Sequence, residues 1–174
     1  MSYQHDQIRW NERYRVGRGP RQRNPRLERL LPMLRQGLVL DLAGGVGANV
    51  SLFRDSTVIL VDISDEALRQ AQNAERVQAD AGALSFAPGA FDTIVCAYFF
   101  DPAIDLAALL KPGGTLFFET YTLADIKYRP DFNPAHHFDP AKRDEVFRGF
   151  DILLCEETDD GTRAYATLIG RKKT

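Results

Sequence analysis

A chain of 174 residues with 44% hydrophobic and 10% aromatic residues suits one globular domain with a proper core, and leaves no length for a separate substrate-binding domain. No apolar run approaches the roughly 18 residues of a membrane span, and the opening MSYQHDQIRW lacks the apolar centre of a secretion signal, so a cytoplasmic protein without a membrane partner is expected. Cys96 and Cys155 stand singly in apolar, strand-like runs, which excludes a disulfide framework and a cysteine metal site.

The net charge of −2 hides an asymmetry. Residues 1–35 carry nine arginines against Asp6, Glu12 and Glu28, a net +6, and the remainder is −8. A basic arm of this kind binds nucleic acid, neutralises an acidic substrate or folds as a solvated face over an acidic body. The absence of a Lys/Arg block with interleaved aromatics favours the last two over RNA.

In chain order, His5 to Arg15 reads as a short helix ending near Gly17-Arg18-Gly19-Pro20. A second begins with Asn24 as cap and Pro25 in its first turn, and spaces Leu27, Leu30, Leu31 and Leu34 helically. Leu38 to Leu40 then form an apolar strand that closes on Asp41 and runs into Gly44, Gly45 and Gly47. Glycines after a buried strand let the backbone take positive φ and approach a ligand too closely for any Cβ. After a brief helix over about residues 48–53, the strand Thr57 to Val61 closes on Asp62, 21 positions beyond Asp41. In a doubly wound sheet that carboxylate lies beside the glycine loop, where it can accept both hydroxyls of a ribose, while Ser64 caps a helix over Asp65 to Asn73.

Arg76 to Asp80 reads as a third, weaker strand, again ending on an acid. Phe91 to Ala97 is the fourth and delivers Tyr98, Phe99 and Phe100 at its carboxyl end, the ligand side of an open sheet. Asp101-Pro102 opens a helix expected to reach Leu110, where Lys111-Pro112-Gly113-Gly114 stops it before a fifth strand from Thr115 to Glu119. Residues 121–140 have little periodicity and hold Tyr121, Tyr128, Arg129, His136 and His137, the composition of a lid over the ligand face. A helix from Asp139-Pro140 to about Arg148 follows, and then a hairpin of Phe150 to Glu157 and Arg163 to Ile169 about Thr158-Asp159-Asp160-Gly161.

The spacing Asp41-x-Ala43-x-Gly45-x-Gly47 resembles the nucleoside-binding loop of class I S-adenosylmethionine-dependent methyltransferases, with Ala43 in place of the usual first glycine. Together with WNERY near the start, DLAGGVGAN, VDIS, FDTIVCAYFF, LKPGG and ETYT, the likeness spans nearly the whole chain and is similar to the small bacterial tellurite-resistance-like group. It implies an α/β, Rossmann-like, seven-stranded mixed sheet of order 3-2-1-4-5-7-6 with helices on both faces. It implies S-adenosylmethionine as cofactor, held by Asp41, Ala43, Gly45, Gly47, Asp62, Ile63, Asp80 and Ala81, with Ala97, Tyr98 and Phe99 near its methionine end. Asp80 would accept the adenine amine, Trp10 and Tyr14 would form a cover, and Arg13 would pair with the methionine carboxylate. The acceptor is expected to be a small molecule, and for a hydroxyl acceptor Tyr121, His136 or His137 is the candidate base.

Two other readings compete. A nicotinamide-dependent oxidoreductase shares the loop and the ribose acid, but Gly45-x-Gly47-x-x-Val50 lacks the third small residue of that fingerprint. A non-catalytic subunit of the same fold, gripping RNA through the arginine-rich arm, is the other.

Overall fold

The structure is a computed structural model, and it describes residues 3–174; Met1 and Ser2 of the basic arm lie outside the described residues. Seven strands form one sheet of order β3-β2-β1-β4-β5-β7-β6, the order implied by the resemblance. The strands are β1 (Leu38–Leu42), β2 (Thr57–Asp62), β3 (Glu75–Gln78), β4 (Phe91–Ala97), β5 (Leu110–Tyr121), β6 (Phe150–Asp159) and β7 (Ala164–Lys172). β1 lies parallel between β2 and β4, with Leu40 opposite Ile59 on one side and Ile94 on the other. β7 returns antiparallel to β5, and β6 completes the hairpin at the edge.

Side chains alternate along the strands, so the two faces build separate cores. On one face α2 (Pro25–Leu30) and the 3₁₀ turn after it lay Leu27, Leu30 and Leu34 against Val39, Val95, Phe117 and Ile169. Asn24 caps α2 as expected, its Oδ1 accepting from the amides of Arg26 and Leu27 at 2.9 and 3.1 Å. The other face carries Leu40, Leu42, Ile94, Cys96, Leu116 and Phe118. There Phe118, Phe138 and Phe147 meet edge to face, with centroids 4.9 to 5.7 Å apart.

The crossovers are shorter than their sequences suggest. The expected helix after the glycine loop is a single 3₁₀ turn, Val50–Leu52, and α3 spans only Asp65–Gln70. The helix expected from Asp101 is reduced to α4 (Leu106–Leu109), because Asp105 rather than Asp101 supplies the cap by accepting from the Ala108 amide. Phe99 and Phe100, just before Asp101, pack on the core. Lys111-Pro112-Gly113-Gly114 follows directly on the end of α4, whose C-cap is Leu110, but it does not precede β5. It is a bulge inside β5, which pairs with β4 at Leu110 and resumes at Thr115. Gly113 takes φ +69 there, and a Cβ on Gly114 would lie 3.1 Å from the Asp92 carbonyl of β4, so the glycines let the bulge hug β4. The helix expected from Asp139 is a 3₁₀ turn, Pro140–Lys142, followed by α5 (Arg143–Val146).

Candidate active site

Three acids stand at or just beyond the carboxyl ends of three neighbouring strands, Asp41 in β1, Asp62 in β2 and Asp80 after β3. The loop after β1 wraps tightly round the first of them. Ala43, Gly45 and Gly47 all take positive φ, at +54, +60 and +71. A Cβ on Gly44 would lie 2.6 Å from the Asp41 carboxyl carbon, so no side chain fits there. Ala43 occupies the left-handed region that glycine favours, and its methyl group carries a strain a glycine would not.

Asp62 holds this loop. Its two oxygens accept from the Gly45 amide and the Ser64 amide, each at 2.8 Å. Burial pushes its pKa upward, against the pull of those amides. Each oxygen keeps a further lone pair for a ligand hydroxyl. Ser64 also caps α3 as expected, through its Oγ and the Ala67 amide. Asp41 is the opposite case: it is 1% exposed, and both oxygens are buried without a hydrogen-bond partner. Desolvation first, and the neighbouring Asp62 charge second, lift its pKa to about 7.

The first helix, α1 (Tyr3–Arg15), closes over this loop. Tyr14 is buried, and its hydroxyl lies where a Cβ on Gly45 would be. Burial, and then the Asp62 charge, hold its phenol protonated far above the ordinary range. Asn11 latches α1 to the start of α3, donating to Asp65 Oδ1 at 2.6 Å and accepting from the Ser64 hydroxyl at 2.6 Å. Trp10 is half-buried on the same helix, and Arg13 lies exposed over its ring at 4.9 Å, turned toward the indole. Ile63 sits between Asp62 and the Ser64 cap; Asp80 accepts from the Gly82 amide at 2.9 Å and caps the turn that begins at Ala81.

A second polar cluster sits at the tips of β4, β5 and β7. Glu119 is fully buried and accepts from Asn24 Nδ2 at 2.8 Å, Thr167 Oγ1 at 2.7 Å and Arg26 at 3.4 Å. Tyr98 follows Ala97 out of β4 in the left-handed region, at φ +59, and burial first, then the Glu119 charge, raise its phenol pKa. Its ring stacks on Tyr121 at 5.5 Å, and the Arg129 guanidinium lies 3.9 Å from the Tyr121 centroid. A bulky residue held at positive φ beside a ligand loop is strain of the kind found at functional sites. Phe99 turns instead toward the other core. Glu119, Asn11 and Asn24 were not singled out as site residues from sequence. Glu119 carried the same signal as Asp41 and Asp62, an acid at a strand's end.

The segment after Tyr121 is pinned. Thr122 bridges to Phe138, which is buried in the core, and Asp125 accepts from the Ala164 amide and from Arg129 Nε, both at 2.9 Å. His136 is exposed. His137 is buried edge-on against Phe132, with Nε2 3.8 Å from Asp125 and no hydrogen-bond partner on either nitrogen.

A glycine cradle with no room for a Cβ at Gly44, an acid at each of three adjacent strand tips and this strand order are the features of the class I methyltransferase fold. Residues 14–152 match the methyltransferase domain family, and the chain belongs to it. Among curated proteins it is similar to the ubiquinone/menaquinone biosynthesis C-methyltransferase UbiE of Klebsiella pneumoniae, 35% identical over 45% of this chain and 40% of the relative. The chain therefore matches less than half the length of that relative. Its fold is shared with magnesium protoporphyrin IX methyltransferase (ChlM) from Synechocystis PCC 6803, solved with bound SAH, at 17% identity and a TM-score of 0.74 over 99% of this chain and 100% of that one. N-methyltransferase NodS from Bradyrhizobium japonicum WM9 superposes with a TM-score of 0.70 at 19% identity, over 86% and 94% of the two chains. Among the described residues no group of His, Cys, Asp or Glu is arranged to hold a metal, and no helix is long and apolar enough to cross a membrane.

Proposed function

We propose that this chain moves a methyl group from S-adenosylmethionine to a small nucleophilic acceptor by in-line displacement, within the tellurite-resistance-like group of small methyltransferases. The observation that carries the reading is Asp41, a buried carboxylate with no partner beneath the glycine cradle. An isolated buried carboxylate is costly, and a cationic ligand set beside it removes that cost. The cofactor, when bound, supplies an electrophilic methyl carbon on a positively charged sulfur. Asp41 provides the countercharge on the ligand side of β1, Asp62 accepts the ribose hydroxyls, and Asp80 with Ala81 borders the base. Ala43, Gly45 and Gly47 let the backbone come close, and Tyr14 with Trp10 covers the loop and excludes water. Positioning and dryness of this kind supply most of the rate that such a displacement needs.

The acceptor is read onto the shelf formed by Tyr98, Tyr121 and Arg129, which lies at the carboxyl end of β4 and β5 and presents a flat aromatic surface. For a hydroxyl acceptor, a base comes from the segment above it. Tyr121 lines the shelf and His136 is open to solvent, whereas His137 reaches an acceptor only if the segment shifts. Titrating the purified chain in parallel with S-adenosylmethionine, NAD and a short RNA tests the reading. Binding of the sulfonium cofactor alone is expected; binding of NAD alone overturns it, and salt-sensitive RNA binding without the cofactor transfers the function to the basic arm.

A further inference from the structure

The face of the sheet opposite α2 holds a cavity of about 600 Å³ that the methyl-transfer reading does not use. Its floor is Leu42, Cys96 and Phe118, all nearly or fully buried, and Phe99, Phe100 and Phe147 wall it. The cavity exists because the crossovers on this side are so short. Residues 79–90 carry one 3₁₀ turn and residues 98–109 carry only the four residues of α4, so no long helix covers the tips of β1 and β4. Leu42 and Cys96 follow Asp41 and precede Ala97, and strand alternation turns them to the face opposite those two. One rim of the cavity comes near the Asp80 turn, where a Cβ on Gly82 would lie 3.9 Å from Asp101, but its other end reaches Lys172 and Lys173 beside the start of β5, at the opposite end of the parallel strands from the cofactor cradle.

One end of the cavity is cationic. Arg148, Lys172 and Lys173 line it, and among the described residues none of the three forms an ion pair. The lysine ammonium groups donate to neutral carbonyls, Lys172 to Leu110 at 2.7 Å and Lys173 to Arg148 at 3.0 Å, and Lys173 also feels the Asp144 carboxylate without pairing with it. The acids lining the cavity, Asp101 and Asp105, belong to the chain leading into α4 and are engaged with the amides of Ala103 and Ala108. An anionic headgroup is drawn to the basic end and repelled from these acids, so a ligand with one apolar body and one anionic head has a single favourable orientation.

We propose that this cavity is a second binding site, separate from the methyl-transfer centre, for an amphipathic anion. Its apolar body lies among Phe99, Phe100 and Phe147, and its carboxylate or similar head meets Arg148, Lys172 and Lys173. The volume is that of an ordinary small-molecule site. Isothermal titration of the full chain with decanoate and with decyltrimethylammonium, which share a tail and differ in charge, tests this. Decanoate is expected to bind one per chain, at least about tenfold more tightly than the cation. The double substitution Arg148→Gln with Lys173→Gln, at the cavity rim, is expected to weaken decanoate by about tenfold for the lost charge-assisted contacts. Ala107→Phe, which sets a ring into the cavity, is expected to abolish decanoate binding while S-adenosylmethionine binding, titrated separately, is unchanged. Equal binding of the two probes, no binding of either, or decanoate binding undiminished in both variants overturns the proposal. None of these outcomes alters the reading of the cofactor site, which its own titration reports.

Discussion

Replacing Asp41 with asparagine should separate the stability of this protein from its ligand chemistry. In the ligand-free chain the carboxyl group is 1% exposed, has no hydrogen-bond partner, and titrates near 7 instead of 3.8. A folded-state pKa raised above the unfolded value means that the folded protein holds this proton more tightly. The associated stability is fully present below about pH 4, falls as pH rises through about 7 and is gone above it. A shift of about three units corresponds to about 4 kcal/mol, a large part of the total stability of a domain this size. Asp41→Asn removes that dependence and replaces it with a pH-independent cost of about 1–3 kcal/mol for an unpaired amide. Urea unfolding of the ligand-free proteins from about pH 5 to 8.5 should show a wild-type curve that declines and a variant curve that is flatter, the two converging or crossing near the alkaline end. Cofactor titration should show the reverse preference. A cation beside Asp41 draws its pKa down, so binding to the wild type releases a proton below about pH 7, and affinity rises by up to about tenfold per pH unit until that point. The variant should bind weakly and without that slope. Parallel stability curves, together with an unchanged pH dependence of binding, would refute the assignment of Asp41 as the buried countercharge.

Four further outcomes are expected. Asp62→Ala loses two contacts that hold the glycine loop and the acceptor of the ribose hydroxyls, and should weaken S-adenosylmethionine by about 100-fold or more in a calorimetric titration. Ala43→Gly relieves a methyl group at φ +54, and should raise stability by up to about 1 kcal/mol, read as an increase in the urea midpoint. Glu119→Gln leaves Arg26 beside a neutral amide and forces one of the other donors to lose its acceptor; a loss of about 2–4 kcal/mol should appear in the same unfolding assay. His136→Ala and His137→Ala should each leave cofactor affinity unchanged, and loss of affinity in both would assign the histidines a structural role instead of a chemical one.

The strands and the acids at their tips were legible because each rests on a local pattern, whereas the strand order came from the resemblance to a known family. A short apolar run ending on Asp41 and Gly44, or on Asp62 and a serine cap, has the same meaning wherever the chain later goes. The same held for Asn24 with Pro25, and for the hairpin, whose pairing closes between Asp159 and Ala164. The helix lengths were not legible: Asp101-Pro102 carries the signal of a helix start, but the cap that the fold uses is Asp105, four residues further on.

Sequence by itself determined the fold and the chemistry on offer: a doubly wound sheet, a glycine loop and three carboxylates in a line. Only the tertiary structure decided what each carboxylate experiences. Asp62 is satisfied because the Gly45 amide, 17 residues away, folds back onto it, whereas Asp41 on the adjacent strand meets no donor at all. Tyr14 covers Gly45, and Asn24 reaches Glu119 across 95 residues of chain. Partnership and desolvation are set by whichever groups the packed fold brings within about 3 Å, and no pattern of neighbours along the chain encodes that distance.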